Sequence, residues 1–295
     1  SSAASDVYKR QGWTYSEFLA DAEKLTHGEG QDKVYGVCWA RKQSGKSILY
    51  ALDGVLGANQ IYKNEEGTEV NFDNDVYRAG LNLVKETLDK GYAIPIEDEF
   101  SEDISVANTF LQGKCAIMLG VAQMRLCMDQ ENYPHDFMTA LVPAPVPDDE
   151  KYNTEFYRKQ IGTTGAGDLL SISANTKYPE ASFEFAMWYL KGGMSPLVQG
   201  GRIPLWNGVN KDEVLSVLKE KAQGSIDMDS MENYLSLDTT QGVAAIKGNA
   251  SSEISSAWFE EFDAMCYGKQ SVDQTVQNME KRGNELIQTE LSSQK

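Results

Sequence analysis

The sequence predicts a mixed α/β protein. Three observations carry that prediction. Apolar runs of strand length occur at residues 34–40 (VYGVCWA), 114–119 (KCAIML) and 169–172 (LLSI). Segments with apolar residues at helical spacing are interleaved with them, each bounded by capping residues or glycine. In residues 161–193 the two patterns adjoin, as a glycine-rich turn, a strand, a Ser/Asn turn and an aromatic helix.

That turn is Gly162-Thr163-Thr164-Gly165-Ala166-Gly167. A dinucleotide-binding turn has a strand before its glycines and a helix straight after. Here the glycines precede the strand, which argues against it. Two readings stay open: a flexible connector, and a hinge strand whose free amides face a cleft, since glycine permits close backbone approach to a ligand. The helix that follows opens at Pro179, a favoured first position, and stops at Gly192-Gly193. Ala181, Phe185, Trp188 and Tyr189 recur along it at helical spacing.

In chain order, residues 1–11 (SSAASDVYKRQ) have no apolar stretch and no periodicity, and read as a non-native or disordered leader. Thr14-Tyr15-Ser16-Glu17 is a capping box, and Phe18, Leu19, Ala22 and Leu25 give its helix one apolar face. After the strand at 34–40 come a polar loop at 41–47 and a short helix at 48–56. Residues 70–72 carry a short strand signal, and Asp73 or Asn74 caps a helix over 75–90. Asp73-Asn74-Asp75 lacks the remaining ligands of a calcium loop. A helix over 101–112 directs Ile104, Ala107, Phe110 and Leu111 inward before the strand at 114–119. A turn at Gly120 leads into 121–130, then a strand at 137–142 and an extended PAPVP stretch. Helices follow at 211–222, 228–235 and 253–267, and Ser271 to Gln274 is a second capping box that opens the last one. Trp258 reads as core, and Asp148-Asp149-Glu150 as a solvated loop.

Composition excludes several functions. With 27 basic and 44 acidic residues the formal charge is −17, which repels nucleic acid and anionic lipid. No window approaches the roughly 18 apolar residues of a membrane span. Cys38, Cys115, Cys127 and Cys266 have no metal-pair spacing; Cys38 and Cys115, inside apolar strand-like runs, read as buried free thiols, with a disulfide left open. The two histidines, His27 and His135, lie in polar turns with no evident nucleophile to serve. The sequence therefore predicts no catalytic residue, no metal and no cofactor.

Several segments, in order, resemble the family 1 extracellular solute-binding proteins of ABC importers. Residues 13–26 resemble a "TW.EF...A..LT" segment, with Tyr15 where tryptophan is usual. Phe110 to Met118 resembles "F..GK.AM", Leu170-Ser171-Ile172-Ser173 with 181–190 resembles an "xIS" strand and its helix, and Arg202-Ile203-Pro204 resembles "G.IP". Residues 267–286 resemble the family's closing segment. Family members often place a tryptophan in the turn that here holds Ala122, Gln123 and Met124.

The resemblance implies a periplasmic-binding-protein-like fold of two α/β lobes joined by hinge-crossing strands, with one lobe incomplete. It assigns 12–168 and 204–291 to the C-terminal-type lobe and 169–203 to what remains of the other. It implies a truncated, extracellular or periplasmic, lipid-anchored monomer that delivers a sugar or oligosaccharide to permease subunits by lobe closure. The ligand-binding candidates are Trp39, Arg41, Ser44, Gln123, Met124, Thr163, Thr164, Gly165 and Trp206. Tryptophan offers a flat face, and the polar members directional hydrogen bonds. Two other functions compete. Ala40 to Ser47 matches a relaxed phosphate-binding loop, which would make the chain a nucleotide-dependent enzyme using Gly45-Lys46-Ser47. The third is a cell-surface interaction protein with no small ligand.

Overall fold

The structure is a computed structural model that describes residues 12–39, 62–64, 66–101, 106–118, 124–154, 170–193, 195–198, 206, 208–236 and 250–293. The polar loop at 41–47, the helix expected at 48–56 and the glycine turn at 162–167 lie outside the described residues.

Helix α1 (Tyr15–Leu25) starts at the capping box. Thr14 Oγ1 accepts the Glu17 amide at 3.3 Å, and Glu17 Oε2 accepts the Thr14 amide at 2.8 Å. Phe18 and Ala22 are buried. Strand β1 (Tyr35–Cys38) pairs in parallel with β2 (Cys115–Met118), in the register Tyr35↔Cys115 and Val37↔Ile117. Ala93 adds a single parallel bridge to Val37 on β1's other edge.

The contact between α1 and β1 depends on Gly36. A β-carbon there would lie 2.1 Å from the Ala22 carbonyl oxygen. Thr26 secures the junction: its hydroxyl accepts the Gly36 amide at 2.9 Å and donates to Ala22 O at 2.7 Å.

Helix α2 (Asp75–Asp89) is capped by Asn74, whose side chain accepts the Val76 and Tyr77 amides at 3.0 Å each. Of the two capping candidates, Asn74 therefore fills the role. Two helices close the larger core, α9 (Ser251–Cys266) and α10 (Val272–Ser293). Phe18, Val37, Tyr77, Leu81, Trp258, Phe262 and Met279 meet there. A second core gathers Leu111, Met128, Leu218, Ile226 and Met231 around α4 (Met124–Cys127), α7 (Lys211–Ala222) and α8 (Met228–Ser236). Cys38, Cys115 and Cys127 are buried and Cys266 is half-buried, and none of the four is in a disulfide.

Three expected elements differ. The strand at 137–142 is reduced to one bridge, Thr139 to Ile226. Pro143 and Pro145 have no amide to extend a ladder, and the buried Leu141 amide is instead accepted by the Ser230 hydroxyl at 3.0 Å. Residues 70–72 form only a bridge between Val70 and Tyr62. Side chains of α10 take the place of a neighbouring strand: Asn284 accepts the Val70 amide at 3.0 Å and Glu280 the Phe72 amide at 2.7 Å. The helix expected over 101–112 starts earlier, as α3 (Ile96–Ser101) directly after Pro95, and a π-helical turn spans Val106–Phe110.

Helices α9 and α10 are joined by Glu261. Its carboxylate accepts from Arg282 Nη1 at 2.6 Å, Gln270 Nε2 at 2.9 Å and Asn278 Nδ2 at 3.0 Å. Burial raises its pKa, but these three donors outweigh burial and hold it below the usual glutamate range. A depressed carboxylate contributes stability above its unfolded-state value, and that contribution is lost as pH falls through the folded value. Glu261→Gln is expected to cost about 1 kcal/mol at pH 7, a modest figure because Arg282 is over a third exposed. In acid the urea-unfolding free energies of variant and wild type should converge. A gap that persists below the glutamate range would contradict this account.

Candidate functional site

The described site candidates do not form one cluster. Trp39 follows β1 directly, and its ring is inside the larger core, tilted against Phe18 with centroids 5.7 Å apart. Its indole N–H donates to Thr87 Oγ1 at 2.9 Å. The expectation of an open aromatic face is thus corrected at Trp39. The ring gains more by burial, as tryptophan usually does, and its one polar group is satisfied there. Met124 opens α4 and is buried in the second core, where it fills space. Arg41, Ser44, Gln123, Thr163, Thr164 and Gly165 lie outside the described residues.

Trp206 differs from both. It is 41% exposed. Its ring folds back over Gly208, with a ring carbon 2.4 Å from where a Gly208 β-carbon would stand. The absent side chain lets the indole lie against backbone on one side. Asn210 follows and caps α7, accepting the Asp212 amide at 3.1 Å. Trp206 is therefore an aromatic surface on a short turn anchored to a helix start.

A second exposed group surrounds α5 (Pro179–Trp188) and the π-helical turn Tyr189–Gly193. No residue of α5 is buried. Phe183 and Phe185 are each 59% exposed and Trp188 is 60% exposed, while Leu170, Ile172 and Leu190 are also open. Phe185 and Trp188 stack obliquely, with centroids 5.7 Å apart. Contiguous apolar exposure of this kind marks a surface that normally meets something. The aromatic spacing of the helix was legible in the sequence, but periodicity cannot tell an apolar face that is covered within the chain from one that is not.

Among the described residues no helix is long and apolar enough to cross a membrane, and no cluster of His, Cys, Asp and Glu could hold a metal ion. His135 lies in a turn, 4.7 Å from the Phe137 ring centre, with its Nδ1 within 2.8 Å of the Tyr133 carbonyl oxygen.

No family model matches the chain, and no curated protein matches it. Solved structures do. A sugar transporter from Rhizobium etli in an open conformation superposes with a TM-score of 0.65 at 14% identity, covering 96% of this chain and 68% of that one. An ABC substrate-binding protein from Listeria monocytogenes in complex with cycloalternan gives 0.64 at 15%, covering 95% and 67%. A cyclic α-maltosyl-1,6-maltose binding protein from Arthrobacter globiformis gives 0.63 at 14%, covering 94% and 65%. The chain thus has the α/β fold of the periplasmic solute-binding proteins, over about two thirds of the length of the structures it matches.

Proposed function

We propose that the chain binds a sugar or oligosaccharide outside the cytoplasm and delivers it to the permease subunits of an ABC importer. The observation that carries this reading is the fold match over 94–96% of the chain to proteins described as sugar transporting or oligosaccharide binding. The reading includes membership of the family 1 solute-binding proteins, a monomer with no enzymatic role, and a lipid anchor.

In this reading residues 12–168 and 204–291 form one lobe, and 169–203 belong to the other. The open apolar surface of α5 supports the division, because a helix with no buried residue has no core of its own in this chain. Closure by hinge motion would bring ligand groups from both lobes together. Trp206 supplies the flat face for a sugar ring. Arg41, Ser44, Gln123 and the Thr163-Thr164-Gly165 turn supply directional donors and acceptors. Trp39 and Met124 support the cleft wall from behind.

Isothermal titration of the full chain with mono- and oligosaccharides, amino acids and magnesium-ATP tests this. Saturable binding of one sugar class is expected, and ligand at about 100 times its Kd should stabilise the fold by about 2.7 kcal/mol. Trp206→Ala should weaken binding by about 1 kcal/mol, roughly fivefold, the scale of one aromatic contact. Binding of magnesium-ATP alone would replace this reading with the phosphate-loop one. Binding of nothing in the panel would favour an interaction protein.

A further inference from the structure

Trp206 and Gly208 stand two residues apart on the turn that leads into α7, and they are fitted to each other. A β-carbon added at Gly208 would lie 2.4 Å from Cζ2 of the Trp206 ring, 2.6 Å from Cη2 and 2.7 Å from Cε2. These three atoms are consecutive around the six-membered ring. An approach along the ring edge would leave the two flanking atoms much farther away than the central one. The near-equal distances therefore put Gly208 beneath the face of the indole. One face of the ring rests on backbone, while 41% of the residue stays open to solvent.

Glycine is commonly kept where the backbone must adopt a positive φ. Gly208 is not such a position: its φ lies outside the left-handed region, unlike that of Gly224 at +89°. An alanine there meets no backbone penalty, and what it lacks is room. The turn is held too firmly to provide it. The Val209 amide donates to Trp206 O at 3.1 Å, and the Asn210 side chain accepts the Asp212 and Glu213 amides at 3.1 and 3.3 Å. Helix α7 is in turn fixed by Val214, Leu218 and Ala222 in the second core. The part that can give way is the ring, the far end of a side chain with two rotatable bonds and solvent beside it.

We infer that Gly208 is the positioning residue of Trp206: its missing side chain sets the angle of the indole and leaves the ring one face for a ligand. The identity of that ligand rests on the sugar reading above, but the packing does not. The consequence is selectivity. A ring free on both sides moves among rotamers, and ordering it on binding costs free energy. A ring backed by the chain is ordered beforehand, and it accepts a flat ligand surface from the open side only.

The test is fluorine NMR of the full chain labelled with 5-fluorotryptophan. The chain has 5 tryptophans, and Trp206→Phe identifies the resonance of Trp206. Gly208→Ala should shift that resonance and leave the other tryptophans in place, with the midpoint of thermal unfolding unchanged. An unmoved Trp206 resonance would overturn the proposal, because the ring would not be resting on Gly208. So would a lowered midpoint with every resonance shifted, the mark of a glycine needed by the fold as a whole. Affinity is the second readout, by titration with the same mono- and oligosaccharides. Gly208→Ala should weaken sugar binding several-fold in the wild type and not at all when Trp206→Ala is already present, since the two changes remove one interaction. Additive losses would overturn the positioning role. A wild type that binds no sugar would refute the sugar reading alone, and the fluorine spectra would still decide whether Gly208 sets the ring.

Discussion

Trp258→Ala is expected to destabilise the chain by about 3–5 kcal/mol, the range for truncating a large buried aromatic. Trp258 is 1% exposed at the centre of the larger core. Its ring stacks on Phe262 at 5.1 Å and meets Phe259 edge-on at 5.0 Å. Truncation would leave a cavity bounded by two helices whose relative position is also fixed by Glu261, so collapse into the space is restricted. The indole N–H is buried without a hydrogen-bond partner among the described residues. Trp258→Phe should therefore cost much less than the alanine change, since it removes area but loses no hydrogen bond. Urea unfolding of both variants checks this. Equal losses would mean that the nitrogen matters and that the core is organised differently.

Gly36→Ala is expected to cost about 3 kcal/mol, the upper end of overpacking penalties. The added methyl would meet backbone, the Ala22 carbonyl oxygen, rather than a side chain that could swing aside. Relief requires α1 to lift from β1. That would also break the Thr26 hydroxyl bridge between the Gly36 amide and Ala22 O. Gly283→Ala offers a comparison. There the new methyl would meet the Val70 side chain at 2.9–3.0 Å, and a small shift of α10 can absorb it. Thermal melts should rank Gly36→Ala well below Gly283→Ala. A reversed order would show that the helix-on-strand junction yields more easily than its geometry indicates.

Much of this architecture was legible in the sequence because its signals are local. The Thr14 and Ser271 capping boxes, the α2 helix and the strands at β1 and β2 all rest on residues within a few positions of one another. The element over 137–142 was misread because apolar residues between prolines look like a strand, while a partner amide for the ladder is a tertiary matter. The same holds for 70–72, whose amides are met by Asn284 and Glu280 from the far end of the chain. The site was less legible. Whether a tryptophan faces outward depends on what covers it, so Trp39 and Trp206 look alike in sequence but differ in the structure. The surroundings of the turn at 147–152 went unseen for a related reason. Asp148 and Asp149 read as a solvated loop, and only packing puts that loop beside Tyr15 and Glu86.

The hold of α10 on residues 70–73 has a consequence for how the chain comes into being. During synthesis the segment around Val70 and Phe72 leaves the ribosome long before Glu280 and Asn284 exist. The parallel pair likewise leaves residue 35 waiting for residue 115. Ordering entropy for such distant partners must be met before their contacts form, which slows folding and prolongs exposure of apolar surface. The larger core therefore assembles late and nearly all at once, after its last helix has emerged. A chain built this way stays open, and dependent on protection from aggregation, through most of its elongation.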